Sequence, residues 1–360
     1  MRIIQLIDSL DVGGAERIAV NYANALSKKI EFSGLVATRK SGALESSIEA
    51  KVFYNCLHKR STVDMKAIYK LKALCKFNQV EWVHAHGTSY FTAFLLKLIH
   101  RDIKIIWHEH AGARSETRSI HNVVLWTISK FFCGIVVVNH KLEEWCRSKL
   151  AFNQVIYLPN FTTVDHNEAK VTVLKGLSNK RIVCLANLRD PKNHALLVEV
   201  AGLLRQSKPE WTFHFIGKDH KDDYSNSLKA KIIANGLGDN VFIYDVCNDI
   251  SHILNQASIG VLASSSEGLP VALLEYGLNQ KAVVVTAVGE MPLVVENGVT
   301  GFTVPSNSVD LFYQSLFQLI EDESLRQRFG VALQEKINTS HSEEFVMKRY
   351  IDWLIHDLKC

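Results

Sequence analysis

The stretch SIGVLASSSEGLPVALLEYG, residues 258–277, decides how this chain is read. Its first six residues, SIGVLA, are apolar without polar alternation. Such a run suits a strand covered on both faces, and strands of that kind belong to parallel sheets with crossover helices. Pro270 suits a first helical position, so the spacing predicts a helix from Pro270 onward. Glu267 then falls in the loop and Glu275 inside the helix. At ~1.5 Å per residue the steps from Pro270 to Glu275 cover about 7–8 Å. Carboxylates so placed are not one acid–base dyad; they read as two holding points along an extended ligand. Gly268, Leu269 and Pro270 lead into a helix start whose free N–H groups favour an anion such as phosphate.

The same strand–loop–helix unit recurs along the 360 residues. Apolar runs lie at 2–7, 32–38, 80–85, 103–108, 134–139 and 155–158, then at 181–186, 211–217, 240–244, 258–263, 282–287 and 301–304. That is too many strands for one comfortable sheet. The expectation is two doubly wound domains, parting near FTTVDHNEAKVT (161–172). Apolar residues make up 47% and charged residues 22%, as in ordinary globular chains. MRIIQLIDSL reads as a first strand rather than a signal peptide, and no window reaches the ~18 apolar residues of a membrane span. The scattered, odd-numbered cysteines, never in C-x-x-C spacing, point to reduced thiols and a cytoplasmic setting. Residues 1–160 carry 22 Lys and Arg against 13 Asp and Glu, whereas residues 161–360 carry 19 against 24. A basic first half suits anionic lipid, nucleic acid or a phosphorylated substrate.

Ligands of open α/β sheets sit beyond the carboxyl ends of strands, so the loops there carry the chemistry. After the first strand, DSLDVGGAER (8–17) places Gly13 and Gly14 before a helix, where backbone can approach a phosphate closely. The pattern is not G-x-G-x-x-G, which removes support for a dinucleotide-dependent dehydrogenase. In ANLRDPKNH (186–194), Arg189 and Lys192 stand at a strand end, where fixed cations would neutralise a diphosphate leaving group. TAVGEMPLVVENGVTGF (286–302) offers a second loop of this kind, with Gly289 and Glu290 before a short helix.

In order along the chain, the Gly13–Gly14 pair, Lys192, the E-x7-E element from Glu267 to Glu275, and ENGVTGFTVP (296–305) resemble the retaining glycosyltransferases of family 4, of GT-B fold and bacterial surface-polysaccharide type. The resemblance implies an α/β architecture of two Rossmann-like, doubly wound parallel-sheet domains with an interdomain cleft. An acceptor-side domain would span 1–165 and a nucleotide-sugar domain 166–342, with a helix over 343–360 returning to the first domain. It implies that Glu275 holds the ribose, Glu267 faces the donor sugar as a catalytic residue, and Lys192 binds the diphosphate. Gly14 would let the acceptor-side loop approach that diphosphate. His108 would contact the donor sugar, with His86 and His110 as acceptor or supporting residues. No metal and no cofactor beyond the UDP- or GDP-type donor is implied, and no nucleic acid. The implied acceptor is a lipid-linked glycan, used in capsule, O-antigen or exopolysaccharide synthesis. Two departures stand out: Asn187 occupies the position where the family carries Arg, five before Lys192, and PNFTTVD (159–165) replaces the usual P-N-G-V-D.

Other readings stay open. A nucleotide-sugar 2-epimerase of the same fold would use the same loops. The pairs in VHAHG (83–87) and WHEHAG (107–112) would give a zinc-dependent hydrolase, with His84 and His86 on one face and His108 and His110 on another. In DMKAIYKLKALCKF (64–77), Ile68, Leu71, Leu74 and Cys75 form one stripe. With TSYFTAFLLKLIHR (88–101) it would dock peripherally on the inner face of an anionic membrane.

Overall fold

The computed structural model describes residues 1–110, 120–162 and 170–358. The chain divides into two compact units, Met1–Phe161 with Glu343–Cys360, and Thr162–Ser342. The expected boundary at residues 165 and 166, and the last three residues of the departing hinge motif (163–165), lie outside the described residues.

Unit 1 holds one sheet of seven parallel strands: β1 (Arg2–Ser9), β2 (Phe32–Lys40), β3 (Phe53–Cys56), β4 (Trp82–His86), β5 (Lys104–Glu109), β6 (Gly134–Val137) and β7 (Val155–Tyr157), in the order β3-β2-β1-β4-β5-β6-β7. Its helices are α1 (Gly14–Ser27), α2 (Met65–Phe77), α3 (Tyr90–Ile99), α4 (Ile120–Ser129), α5 (His140–Lys149) and the C-terminal Glu343–Asp352. Period-2 alternation sorts β1: Ile4 and Leu6 join one core with Leu71, Leu96 and Trp107, while Ile7 joins another with Ala19, Val20 and Ala23 of α1. Both faces are covered, which is why the strands read as continuous apolar runs. β3 escaped that reading. It is an edge strand, and none of Phe53, Tyr54, Asn55 and Cys56 is fully buried, so it has no continuous apolar signature.

Unit 2 holds six parallel strands: β8 (Arg181–Leu185), β9 (Thr212–Ile216), β10 (Val241–Tyr244), β11 (Ile259–Leu262), β12 (Ala282–Thr286) and β13 (Phe302–Val304), in the order β10-β9-β8-β11-β12-β13. Four of its helices bear on the site or its surroundings: α6 (His194–Ser207), α7 (Asp223–Ala234), α8 (Ile250–Asn255) and α9 (Val271–Leu278). Both sheets are doubly wound, so each has a switch point, β1/β4 in unit 1 and β8/β11 in unit 2. Among the described residues, Cys56, Cys75, Cys146, Cys184 and Cys247 are free thiols.

Candidate active site

At the switch point of unit 2, β8 and β11 pair only through Ile182 with Ile259 and Val183 with Gly260, and then diverge. Tyr276 of α9 fills the opening. Its hydroxyl accepts from Leu185 N at 2.7 Å and lies 3.1 Å from the carbonyl of Val183, satisfying backbone groups that the diverging strands leave bare. The ring lies against Gly260, where an added Cβ would come within 2.7 Å of it. The glycine inside this strand was the sequence signal for that close approach, and Tyr276 was missed.

Beyond the opening, the loops after β8 and β11 bring Lys192 and Glu267 together. Lys192 Nζ pairs with Glu267 Oε1, and Ser264 Oγ donates to the same oxygen at 2.7 Å. Ser265 N donates to the carbonyl of Pro191 at 2.9 Å, which ties the two loops by backbone as well. A third loop closes on them. Glu290 N donates to the carbonyl of Gly268 at 2.9 Å, and Gly289 has φ +58. A Cβ at Gly289 would lie 2.3 Å from the carbonyl oxygen of Glu267, so only glycine allows this approach. Leu269 is buried and anchors the turn.

Two expectations change in detail. Pro270 is not the first helical residue; it is extended, at φ −66 and ψ 130, and α9 starts at Val271. Glu275 is half-buried on α9, beside the Tyr276 anchor. Arg189 is not drawn into the Lys192–Glu267 pair: it is exposed and donates from Nε to His220 Nε2 at 3.0 Å. Asn187 accepts from Lys218 N at 2.9 Å, so this position ties the loop after β8 to the loop after β9.

In unit 1, Gly13 caps α1 and Gly14 is its first residue. A Cβ on Gly14 would meet nothing within 4 Å, so its backbone faces open space. At β4 and β5 the register pairs His86 with His108. Residues paired across a sheet share a face, so His84, His86 and His108 stand on one face, correcting the expectation of two. His84 stacks on His86 at 4.5 Å and on His108 at 5.2 Å, and His108 on His110 at 4.0 Å. Tyr22 of α1 meets His84 edge-on at 5.1 Å, and Tyr350 donates to or accepts from His84 Nδ1 at 2.9 Å. His86 Nε2 donates to Gln5 Oε1 at 2.8 Å, leaving its Nδ1 to accept from His110 Nε2 at 2.9 Å. That chain leaves His110 Nδ1 as an acceptor. His108 is 1% exposed and neither of its nitrogens has a hydrogen-bond partner among the described residues, whereas His110 is only half-buried.

Burial pushes His84, His86 and His108 well below the ordinary imidazole range, and pushes His110 down to about 3. The rings are neutral at neutral pH. Nitrogens of His84, His86 and His108 do lie within 4.8 Å of one another, close enough to suggest a metal centre. The hydrogen bonding argues otherwise: both nitrogens of His86 are already engaged, one with Gln5 and one with His110.

Comparison with known proteins fits this geometry. Residues 12–166 match the model of Glycosyltransferase Family 4, and residues 165–336 match that of Glycosyl transferases group 1. A UDP-Gal:alpha-D-GlcNAc-diphosphoundecaprenol alpha-1,3-galactosyltransferase of Escherichia coli is 23% identical over 89% of this chain and 88% of its own. The amylovoran biosynthesis glycosyltransferase AmsD of Erwinia amylovora is 21% identical over 98% and 99%. Among solved structures, Staphylococcus aureus TarM with fondaparinux, alpha-GlcNAc-glycerol and UDP superposes with TM-score 0.82, at 13% identity over 99% of this chain and 100% of that one. Anabaena HepE with UDP and glucose gives 0.80, at 16% identity over 98% and 99%.

Proposed function

Because this chain belongs to the GT-B glycosyltransferases, family 4 in its first half and group 1 in its second, and acts in bacterial polysaccharide synthesis, we propose that unit 2 binds a nucleotide-diphosphate sugar and that transfer retains the anomeric configuration. The observation that carries the reading is the Lys192–Glu267 pair at the β8/β11 switch point. In the free protein the ammonium and carboxylate neutralise each other. A donor would separate their tasks, drawing Lys192 to the diphosphate while Glu267 accepts from the sugar hydroxyls. Charge grows on the departing phosphate during bond cleavage, and a fixed cation stabilises it there more than in the ground state. Glu275 takes the ribose hydroxyls. Arg189, on the same strand-end loop, reaches the phosphates only by leaving His220.

Unit 1 takes the acceptor, a glycan carried on a lipid, as in the relative whose name includes diphosphoundecaprenol. Its imidazoles are neutral, so they offer hydrogen bonds to hydroxyl groups and no proton store at neutral pH. His110, half-buried, makes the contact, and His108, 1% exposed and stacked on it at 4.0 Å, supports that ring in place of the donor-sugar contact that the resemblance implies. The donor is of UDP or GDP type, the products are capsule, O-antigen or exopolysaccharide, and the protein works at the inner face of the cytoplasmic membrane. No metal enters this reading, and neither a hydrolase nor an epimerase is needed for it.

A thermal-shift panel of UDP, GDP, ADP and their common sugar conjugates, with and without EDTA, tests the reading. Stabilisation by one nucleoside diphosphate, unchanged by EDTA, is expected through binding linkage. No response to any nucleotide, with a large loss of stability in EDTA, would overturn it.

A further inference from the structure

We propose that Tyr350, on the C-terminal helix, is a positioning residue for the unit 1 site: it holds the column of imidazoles so that His110 meets the acceptor in one orientation. This deepens the acceptor reading and rests on it. Two helices of unit 1 turn a stripe inward, with different results. α2 buries Ile68, Leu71 and Cys75, and Leu74 packs on the core, so the stripe expected to dock on a membrane faces inward. The C-terminal helix buries Val346, Met347 and Tyr350, and the last of these brings a hydroxyl into the histidine cluster.

The outer torsion of a histidine side chain is broad, with no staggered well to fix the ring. An imidazole is therefore aimed by what it packs on and what it bonds to. Tyr350 aims His84 in both ways. Its hydroxyl stands 2.9 Å from His84 Nδ1, and the two rings lie nearly parallel, 5.2 Å apart and inclined by 22°. Tyr22 closes the side of the column, edge-on to Tyr350 at 5.2 Å and to His108 at 5.5 Å. Tyr350, Tyr22, His84 and His86 are all fully buried, and in a close-packed interior a ring that turns must displace its neighbours. His86 stacks on His84, is held by Gln5 at one nitrogen and meets His110 at the other. Tyr350, His84, His86 and His110 thus follow one another contact by contact, and His110 alone of the four is not fully buried. Packing alone does not call for the hydroxyl. A phenylalanine would fill the same space without the cost of burying a polar group.

The test is nitrogen NMR of the imidazoles in the full chain carrying isotope-labelled histidine, with His84→Gln and His110→Gln to assign the signals. Wild type is compared with Tyr350→Phe, which keeps the ring and removes the hydroxyl, with Tyr350→Ala, and with Met347→Ala as a loss of packing elsewhere on the same helix. Wild-type His110 is expected as a single tautomer protonated on Nε2. Tyr350→Phe should move both His110 nitrogens toward the average of the two tautomers, and Tyr350→Ala should abolish the preference. Met347→Ala should lower the melting temperature and leave the His110 signals in place. Identical His110 signals in wild type and both Tyr350 variants overturn the proposal. So does an equal change in Met347→Ala, which would make Tyr350 ordinary packing. N-acetylglucosamine is then titrated into wild type as a hydroxyl probe. If Tyr350→Phe perturbs His110 but the sugar does not shift the wild-type ring, the coupling stands and the acceptor reading fails. If the sugar shifts His110 and neither Tyr350 variant alters it, only the positioning role fails.

Discussion

The two switch points share one architecture and carry opposite chemistry. At β8/β11 in unit 2 the loops hold a lysine and a carboxylate in contact, with Ser264 on the same oxygen. At β4/β5 in unit 1, beside the β1/β4 switch point, the same sheet end holds stacked imidazoles that burial keeps uncharged. Fixed charges suit a ligand whose own charge changes in the reaction, as a diphosphate's does when it leaves. Neutral rings suit a ligand of hydroxyl groups, where a charge would be costly to desolvate. On the proposed reading, one fold unit used twice divides the work by what its strand ends carry.

The sharpest way to break that comparison is at the acids. Glu267→Ala should lower turnover by about a hundredfold, the scale of losing one positioned polar contact in a transition state, with nucleotide affinity nearly kept. Glu275→Ala should do the reverse, raising the nucleotide Kd about tenfold. Steady-state transfer and calorimetry on both variants separate the two, and wild-type rates in both would remove the site assignment. Gly289→Ala should cost about 1–3 kcal/mol in denaturant unfolding, because its positive φ and the Glu267 carbonyl both exclude a side chain.

Acid sharpens the other side. The histidines of unit 1 have folded pKa values depressed below the unfolded value near 6.5. The unfolded chain therefore binds more protons as pH falls, so their stabilising contribution is complete above that value and is lost on the way down toward pH 3. Melting temperature should decline through this window, and His110→Gln should make the decline shallower. The smallest expected effect is that of EDTA, which should leave melting temperature and transfer unchanged; a clear loss would favour the metal reading of the stacked rings.

Much of this was legible in the chain itself because covered parallel strands leave continuous apolar runs, and each of the twelve runs coincides with a strand. β3 was not, since a half-exposed edge strand has no such run. The E-x7-E spacing brought Glu267 and Glu275 into view, but not that Lys192 pairs with Glu267, which depends on two loops from separate strands. Tyr276 was hidden for a physical reason: its task exists only where β8 and β11 part. The histidine pairs were visible, yet their common face followed from the register of β4 on β5, which no spacing within one strand reveals. The α2 stripe shows the converse error, where amphipathic periodicity marked a core-facing side.

The most direct measurement is a calorimetric titration of UDP and GDP into the wild-type chain and into Lys192→Met. The account predicts that one of them binds wild type and that the substitution weakens it about thirtyfold, near 2 kcal/mol for a lost charge-assisted contact. Equal affinity in both proteins, or no binding to either, would contradict the claim that unit 2 holds the donor through this pair.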